Sequence, residues 1–148
     1  MEEIKEKYLN FFVTTVKNVS NLSYCKKRKV GALIIKDNNI LAFGYNGTYP
    51  GDINCCEDEN GKTMHNKVLH AEFNAITSCN KRGISLVNSA ILCTTSPCSE
   101  CAKLILANGI KTIYYLEDYK NNVGINFLIE RDCYVIKIEK VNDGNDSN

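Results

Sequence analysis

The sequence predicts a three-layer α/β/α domain: a five-stranded mixed sheet with helices on both faces and its last two strands parallel. Three observations lead there. Short apolar runs of strand length alternate with longer stretches of helical period. A helical stretch over residues 122–131 stands between the two final strands, which requires a parallel, right-handed crossover. The chain has 148 residues, 44% hydrophobic and 24% charged, which suits one domain with its own core. With no internal repeat and no linker, residues 1–140 are expected to form that domain and 141–148 a frayed tail.

The elements follow in order. Residues 3–22 read as a helix, because Ile4, Tyr8, Phe11, Phe12, Val16 and Val19 recur at helical spacing. Cys25-Lys26-Lys27-Arg28-Lys29 comes next. Such a cationic run is most often a solvated loop. It also stands directly before a strand, which makes Arg28 and Lys29 candidates for gripping a phosphate. Val30–Ile35 is a near-continuous apolar run, as in a buried strand. Asp37-Asn38-Asn39 is turn chemistry, and Ile40–Asn46 returns, completing a hairpin. Asn46 to Asp52 is rich in turn formers; Asn46 suits a sugar hydroxyl or simply the turn. A long polar loop with Cys55 and Cys56 runs on to His65.

Residues 66–80 read as the second helix, with Gly83 past its end. Ser89–Thr95 is a buried strand broken by Ser96-Pro97. Residues 98–107 form a third helix, opened by the proline and ended by Gly109. Thr112–Leu116 and Tyr134–Ile138 are the last two strands.

The chemistry lies in His70-Ala71-Glu72 and Pro97-Cys98-Ser99-Glu100-Cys101. A catalytic zinc takes three nitrogen or thiolate ligands and keeps its fourth position for water. His70, Cys98 and Cys101 supply that set. Glu72 lies two residues past the histidine, an offset that makes joint ligation awkward and leaves its carboxylate for proton transfer. Both cysteines open a helix, where spare N–H groups and the helix dipole favour the thiolate. A lone C-x-x-C also has structural and redox readings, but those leave His70 and Glu72 unused. The combination H-x-E … P-C-x-x-C is the known signature of the zinc deaminases.

Net charge is +1. That gives no electrostatic basis for binding a long nucleic acid, while a small anion needs only one or two local cations. The chain has eight cysteines. Its first residues are charged and show no signal-peptide core, and no apolar run has the length of a membrane span. The expectation is a cytoplasmic protein with reduced thiols and no membrane partner.

The chain resembles the deoxycytidylate (dCMP) deaminases of the cytidine deaminase superfamily, from about Lys29 to Tyr119. The carrying stretches are Val30-Gly31-Ala32, Gly44-Tyr45-Asn46-Gly47, Asn54-Cys55-Cys56, His70-Ala71-Glu72-Phe73-Asn74-Ala75-Ile76 and Thr95-Ser96-Pro97-Cys98-Ser99-Glu100-Cys101-Ala102-Lys103. The resemblance implies a cytidine-deaminase-like fold and conversion of dCMP to dUMP and ammonia, feeding dTMP synthesis. It implies that Asn46 binds the deoxyribose, the Ala71 N–H holds the pyrimidine carbonyl, the Ser96 carbonyl accepts from the leaving amine, and Tyr119 lines the pocket. It further implies dCTP activation and dTTP inhibition through Gly44, Tyr45, Asn46 and Gly47, Mg2+ with the regulatory nucleotide, and a homohexamer. Some relatives carry a second, structural zinc. Cys25 and Cys55 match two of its ligands, Val68 replaces a glutamate, and His65 is a substitute ligand. The rival expectations are a dual dCMP/dCTP deaminase, another nucleoside or nucleobase deaminase, and a non-catalytic zinc-binding accessory protein such as a DNA-uptake factor.

Overall fold

The computed structural model describes residues 4–139. The elements run α1 (Glu6–Ser20), β1 (Gly31–Lys36), β2 (Asn39–Tyr45), β3 (Gly47–Thr48), β4 (Val68–Leu69), α2 (Ala71–Lys81), β5 (Ala90–Thr95), α3 (Ser99–Ala107), β6 (Thr112–Glu117), α4 (Val123–Ile129) and β7 (Tyr134–Lys137). Five strands form one sheet in the order β2-β1-β5-β6-β7. β1 is antiparallel to both β2 and β5, whereas β5, β6 and β7 are mutually parallel. The sheet is therefore mixed, with its last two strands parallel.

Strand periodicity explains why β1 reads as a continuous apolar run. Successive side chains point to opposite faces, and helices cover both. Leu33 and Ile35 pack with Phe12, Val13 and Val16 of α1. Ala32 and Ile34 join Ala71, Ala75 and Ile76 of α2, with Ile105 of α3 and Leu128 of α4, on the other face. The β1–β2 turn places Asp37 at φ 51° and Asn38 at φ 61°. Asn and Asp tolerate that left-handed conformation, which matches the twist of a two-residue hairpin.

The helix expected over residues 66–80 starts later. Val68 and Leu69 form a short strand against Thr48 and Gly47, so α2 begins at Ala71 with His70 at its N-cap. This pairing between distant segments overrides the local helical pattern. The first and last helices are also shorter than expected, at 15 and 7 residues. The expected tail at 141–148 lies outside the described residues. Among the described residues, no helix is long and apolar enough to cross a membrane.

The expectation of fully reduced thiols requires correction. Cys25 and Cys56 form a disulfide with Cα atoms 5.2 Å apart. It ties the start of the cationic run to the long polar loop.

Candidate active site

The site forms where β5 ends and β1 begins. β5 runs into Ser96-Pro97, and α3 starts immediately after, with Cys98 as its N-cap. α2 starts beside it with His70 as N-cap. Both caps are extended residues whose side chains fall outside the helix, so two helix N-termini aim ligands at one point. His70 Nδ1 lies 3.5 Å from Cys98 Sγ and 3.4 Å from Cys101 Sγ. All three ligand atoms fall within 4.8 Å of one another. A nitrogen at about 2.05 Å and a sulfur at about 2.3 Å from zinc, at the tetrahedral angle, stand about 3.5 Å apart. The N, S, S set thus fits zinc in both chemistry and spacing.

The protonation pattern points the same way. Cys98 is pulled down to about 3, chiefly by a hydrogen bond from Cys101 and also by His70. Cys101 is raised, chiefly by that same bond, with burial and the Glu72 charge adding to it. Hydrogen bonding to Cys98 raises His70 despite its burial. The three groups share protons that a cation displaces on binding.

Glu72 sits in the first turn of α2 and is only 4% exposed. Burial raises its pKa, while a hydrogen bond from the Cys101 side opposes the rise. It is a buried carboxyl beside the metal cluster, suited to moving protons. Behind it lies buried Cys93, whose thiol is held protonated by burial and by the Glu72 charge.

A cleft of about 490 Å³ opens over this cluster, a volume suited to a small molecule. Of the residues expected at the site, Arg28, Asn46, His70, Ala71, Glu72, Ser96, Cys98 and Tyr119 line it. Cys101 lies behind, 4% exposed, completing the metal set. Lys29 is exposed and does not line the cleft; Lys27 does. Of Gly44, Tyr45, Asn46 and Gly47, only Asn46 lines it. A side chain at Gly44 would strike the Ala71 carbonyl, so this glycine lets β2 pack against the first turn of α2. A Cβ at Gly47 would meet the Tyr24 hydroxyl at 3.1 Å.

Cys25 and His65 line the cleft, but Cys55 does not join them. It is exposed, its thiol donating to the Glu57 carbonyl at 3.2 Å. Neighbouring residues in an extended loop point opposite ways, so Cys56 is the one that reaches Cys25. Lys27, Lys120 and Cys56 are among the lining residues that sequence reasoning missed. The first belonged to the cationic run, and the second directly follows Tyr119.

Fold and site together define a class: an α/β/α domain that presents a His–Cys–Cys group able to hold a metal beside a buried glutamate. Residues 5–117 match the family described as the cytidine and deoxycytidylate deaminase zinc-binding region, and the chain belongs to that family. It is 39% identical over 113 residues to ComE operon protein 2 of Bacillus subtilis, covering 74% of this chain and 59% of that one. It is 31% identical over 144 residues to the deoxycytidylate deaminase of Enterobacteria phage T4, covering 70% of this chain and 75% of that one. The match to the deoxycytidylate deaminase of Saccharomyces cerevisiae is 30% identical and spans only 38% of that protein. Among solved structures, dCMP deaminase from the cyanophage S-TIM5, in complex with dCMP and dUMP, superposes with a TM-score of 0.88. That match is 39% identical and covers 92% of this chain and 100% of the other.

Proposed function

We propose that this protein hydrolyses dCMP to dUMP and ammonia with one zinc held by His70, Cys98 and Cys101, supplying dUMP for dTMP synthesis. The observation that carries the reading is the buried Glu72 carboxyl beside a metal-competent cluster at the floor of a nucleotide-sized cleft. The family membership and the dCMP- and dUMP-bound relative support the choice of substrate.

When bound, zinc supplies a water acidified to near neutral pH. Glu72 then takes the water's proton and passes it to the ring nitrogen beside the amino-bearing carbon. It later carries a proton to the leaving amine, so one carboxylate serves both halves of the reaction. The Ala71 N–H, at the first position of α2, has no partner within the helix and is the donor for the pyrimidine carbonyl. The Ser96 carbonyl is the acceptor for the amine. Asn46 is the sugar contact; its Oδ1 accepts from the Val30 N–H and its Nδ2 donates to the Arg28 carbonyl. Those bonds hold the amide still, and each polar end keeps capacity for a second bond.

The direct test is ammonia release from dCMP, dCTP, deoxycytidine and CMP by the zinc-loaded protein. We expect dCMP to be the best substrate; finding it the poorest overturns the reading. Equal rates on dCTP would favour the dual deaminase. A non-catalytic zinc-binding role leaves the buried Glu72 without a task.

Regulation by dCTP and dTTP with Mg2+, and assembly into hexamers, form a separate part of the proposal. Titrating dCMP turnover with both effectors and sizing the protein in solution test it. A second zinc is tested by counting metal in the reduced protein. The expected ligands are Cys25, Cys55 and His65; Cys25 and His65 line the cleft and Cys55 does not, so this set needs the Cys25–Cys56 disulfide opened first.

A further inference from the structure

Asn46 stands at a corner of the chain. It lies between the end of β2 and the start of β3, and it lines the cleft. Four hydrogen bonds tie it to the segment between α1 and β1. The Asn46 N–H donates to the Val30 carbonyl at 3.2 Å, Oδ1 accepts from the Val30 N–H at 2.9 Å, and Nδ2 donates to the Arg28 carbonyl at 2.8 Å. The fourth holds the main-chain carbonyl of Asn46, which accepts from Ser23 Oγ at 2.8 Å.

The two side-chain bonds decide which way the amide faces. Its oxygen meets a donor and its nitrogen an acceptor, so a flipped amide would lose both. The first three bonds use backbone groups of Arg28 and Val30. Only the fourth comes from another residue's side chain.

Ser23 follows α1 and is 2% exposed. Its Oγ accepts from the Cys25 N–H at 3.2 Å, which leaves its one proton for the Asn46 carbonyl. Cys25 Sγ also approaches that carbonyl, at 3.7 Å. That sulfur is bonded to Cys56 and has no proton to give. Ser23 itself does not line the cleft, so any effect it has on a ligand passes through Asn46.

The substrate's chemistry says what depends on this. The deoxyribose of dCMP has one free hydroxyl, on C3′, because C5′ carries the phosphate and C2′ carries none. That hydroxyl can donate to the second lone pair of Asn46 Oδ1 and accept from the second N–H of Nδ2. Two bonds to one oxygen tolerate little displacement, since a hydrogen bond weakens steeply once bent. Without the Ser23 proton, a carbonyl at this corner loses its donor, and the corner must shift to find another.

We infer that Ser23 is a positioning residue for the sugar: its buried hydroxyl holds the Asn46 carbonyl and so sets the amide where a 3′-hydroxyl meets both of its polar ends. The inference rests on the deaminase reading for Asn46 as the sugar contact and deepens it. Misplacing that pair of bonds corresponds to about tenfold in affinity.

The test compares the zinc-loaded full chain, its disulfide intact, with Ser23→Ala on dCMP and on 2′,3′-dideoxycytidine monophosphate, which lacks the 3′-hydroxyl. We expect kcat/KM for dCMP to fall about tenfold in Ser23→Ala, through KM, and that for the dideoxy compound to stay. A loss shared equally by both substrates marks a serine that serves only the fold and overturns the inference, as does no loss. In Ser23→Ala combined with Asn46→Ala, the serine change should cost dCMP nothing beyond Asn46→Ala alone; additive losses overturn the inference. Calorimetric titration with dUMP and 2′,3′-dideoxyuridine monophosphate reads the sugar contact without turnover. A protein that prefers dUMP, with that preference lost in Ser23→Ala, keeps the brace even if it deaminates nothing. Equal binding of the two by the unaltered protein overturns it even if dCMP is deaminated.

Discussion

At the scale of single residues, Glu72 and the metal ligands should separate cleanly. Glu72 does not belong to the N, S, S set, so Glu72→Gln removes proton transfer while leaving the ligands in place. We expect turnover of dCMP to fall by about 10²–10⁴-fold, with zinc content near that of the unaltered protein by metal analysis. Unchanged turnover would remove Glu72 from the chemistry and favour the zinc-binding accessory role. Cys101→Ser should behave in the opposite order. Its sulfur is buried and approaches His70 Nδ1 at 3.4 Å, and a hydroxyl is a poor substitute for a thiolate on zinc. Zinc content should fall first, and activity with it.

At the scale of elements, two glycines hold the two helix starts that carry the candidate metal ligands. Gly44 on β2 lies against the Ala71 carbonyl of α2, as described above. Gly124, near the start of α4, lies against the Pro97 carbonyl, and a Cβ there would stand 2.8 Å from the Cys98 carbonyl carbon. In Gly124→Ala, α4 or the Pro97-Cys98 turn must move. Such overpacking costs about 1–3 kcal/mol, to be read by denaturant unfolding. The displaced turn carries a ligand, so zinc affinity should weaken in the same variant. Full stability and unchanged zinc affinity would show that α4 is free to shift away. Within residues 122–131 the same glycine lowers the intrinsic helix propensity. Local propensity counts it as a fault, whereas the packed structure uses it for a close approach.

At the scale of the whole molecule, a metal held by His70, Cys98 and Cys101 would act as a staple. His70 comes from α2, and Cys98 and Cys101 come from α3, so one ion would join two helices that meet on the same face of the sheet. Free zinc at a thousandfold above its Kd adds about 4 kcal/mol. For a chain of this size that is about 10 °C in Tm. Chelation should therefore lower Tm by about that much, and added zinc should restore it; scanning calorimetry checks both. An unmoved Tm would mean that no metal is held.

The layer architecture and the strand directions at the C-terminal end were legible in the sequence, as was a His, Cys, Cys group that could hold a metal. Those features are written in local terms: apolar period, a proline before a helix, and a histidine, glutamate and two cysteines at fixed offsets. Packing between distant segments decided that His70 caps α2 rather than sitting inside it. It decided too that Cys56 pairs with Cys25, and that Lys27 and Lys120 reach the cleft while Lys29 does not. A two-residue strand has no period to detect, and its pairing joins segments about twenty residues apart. Which member of a cationic run faces a cleft depends on where the opposite wall stands, and that wall belongs to the loop after β6.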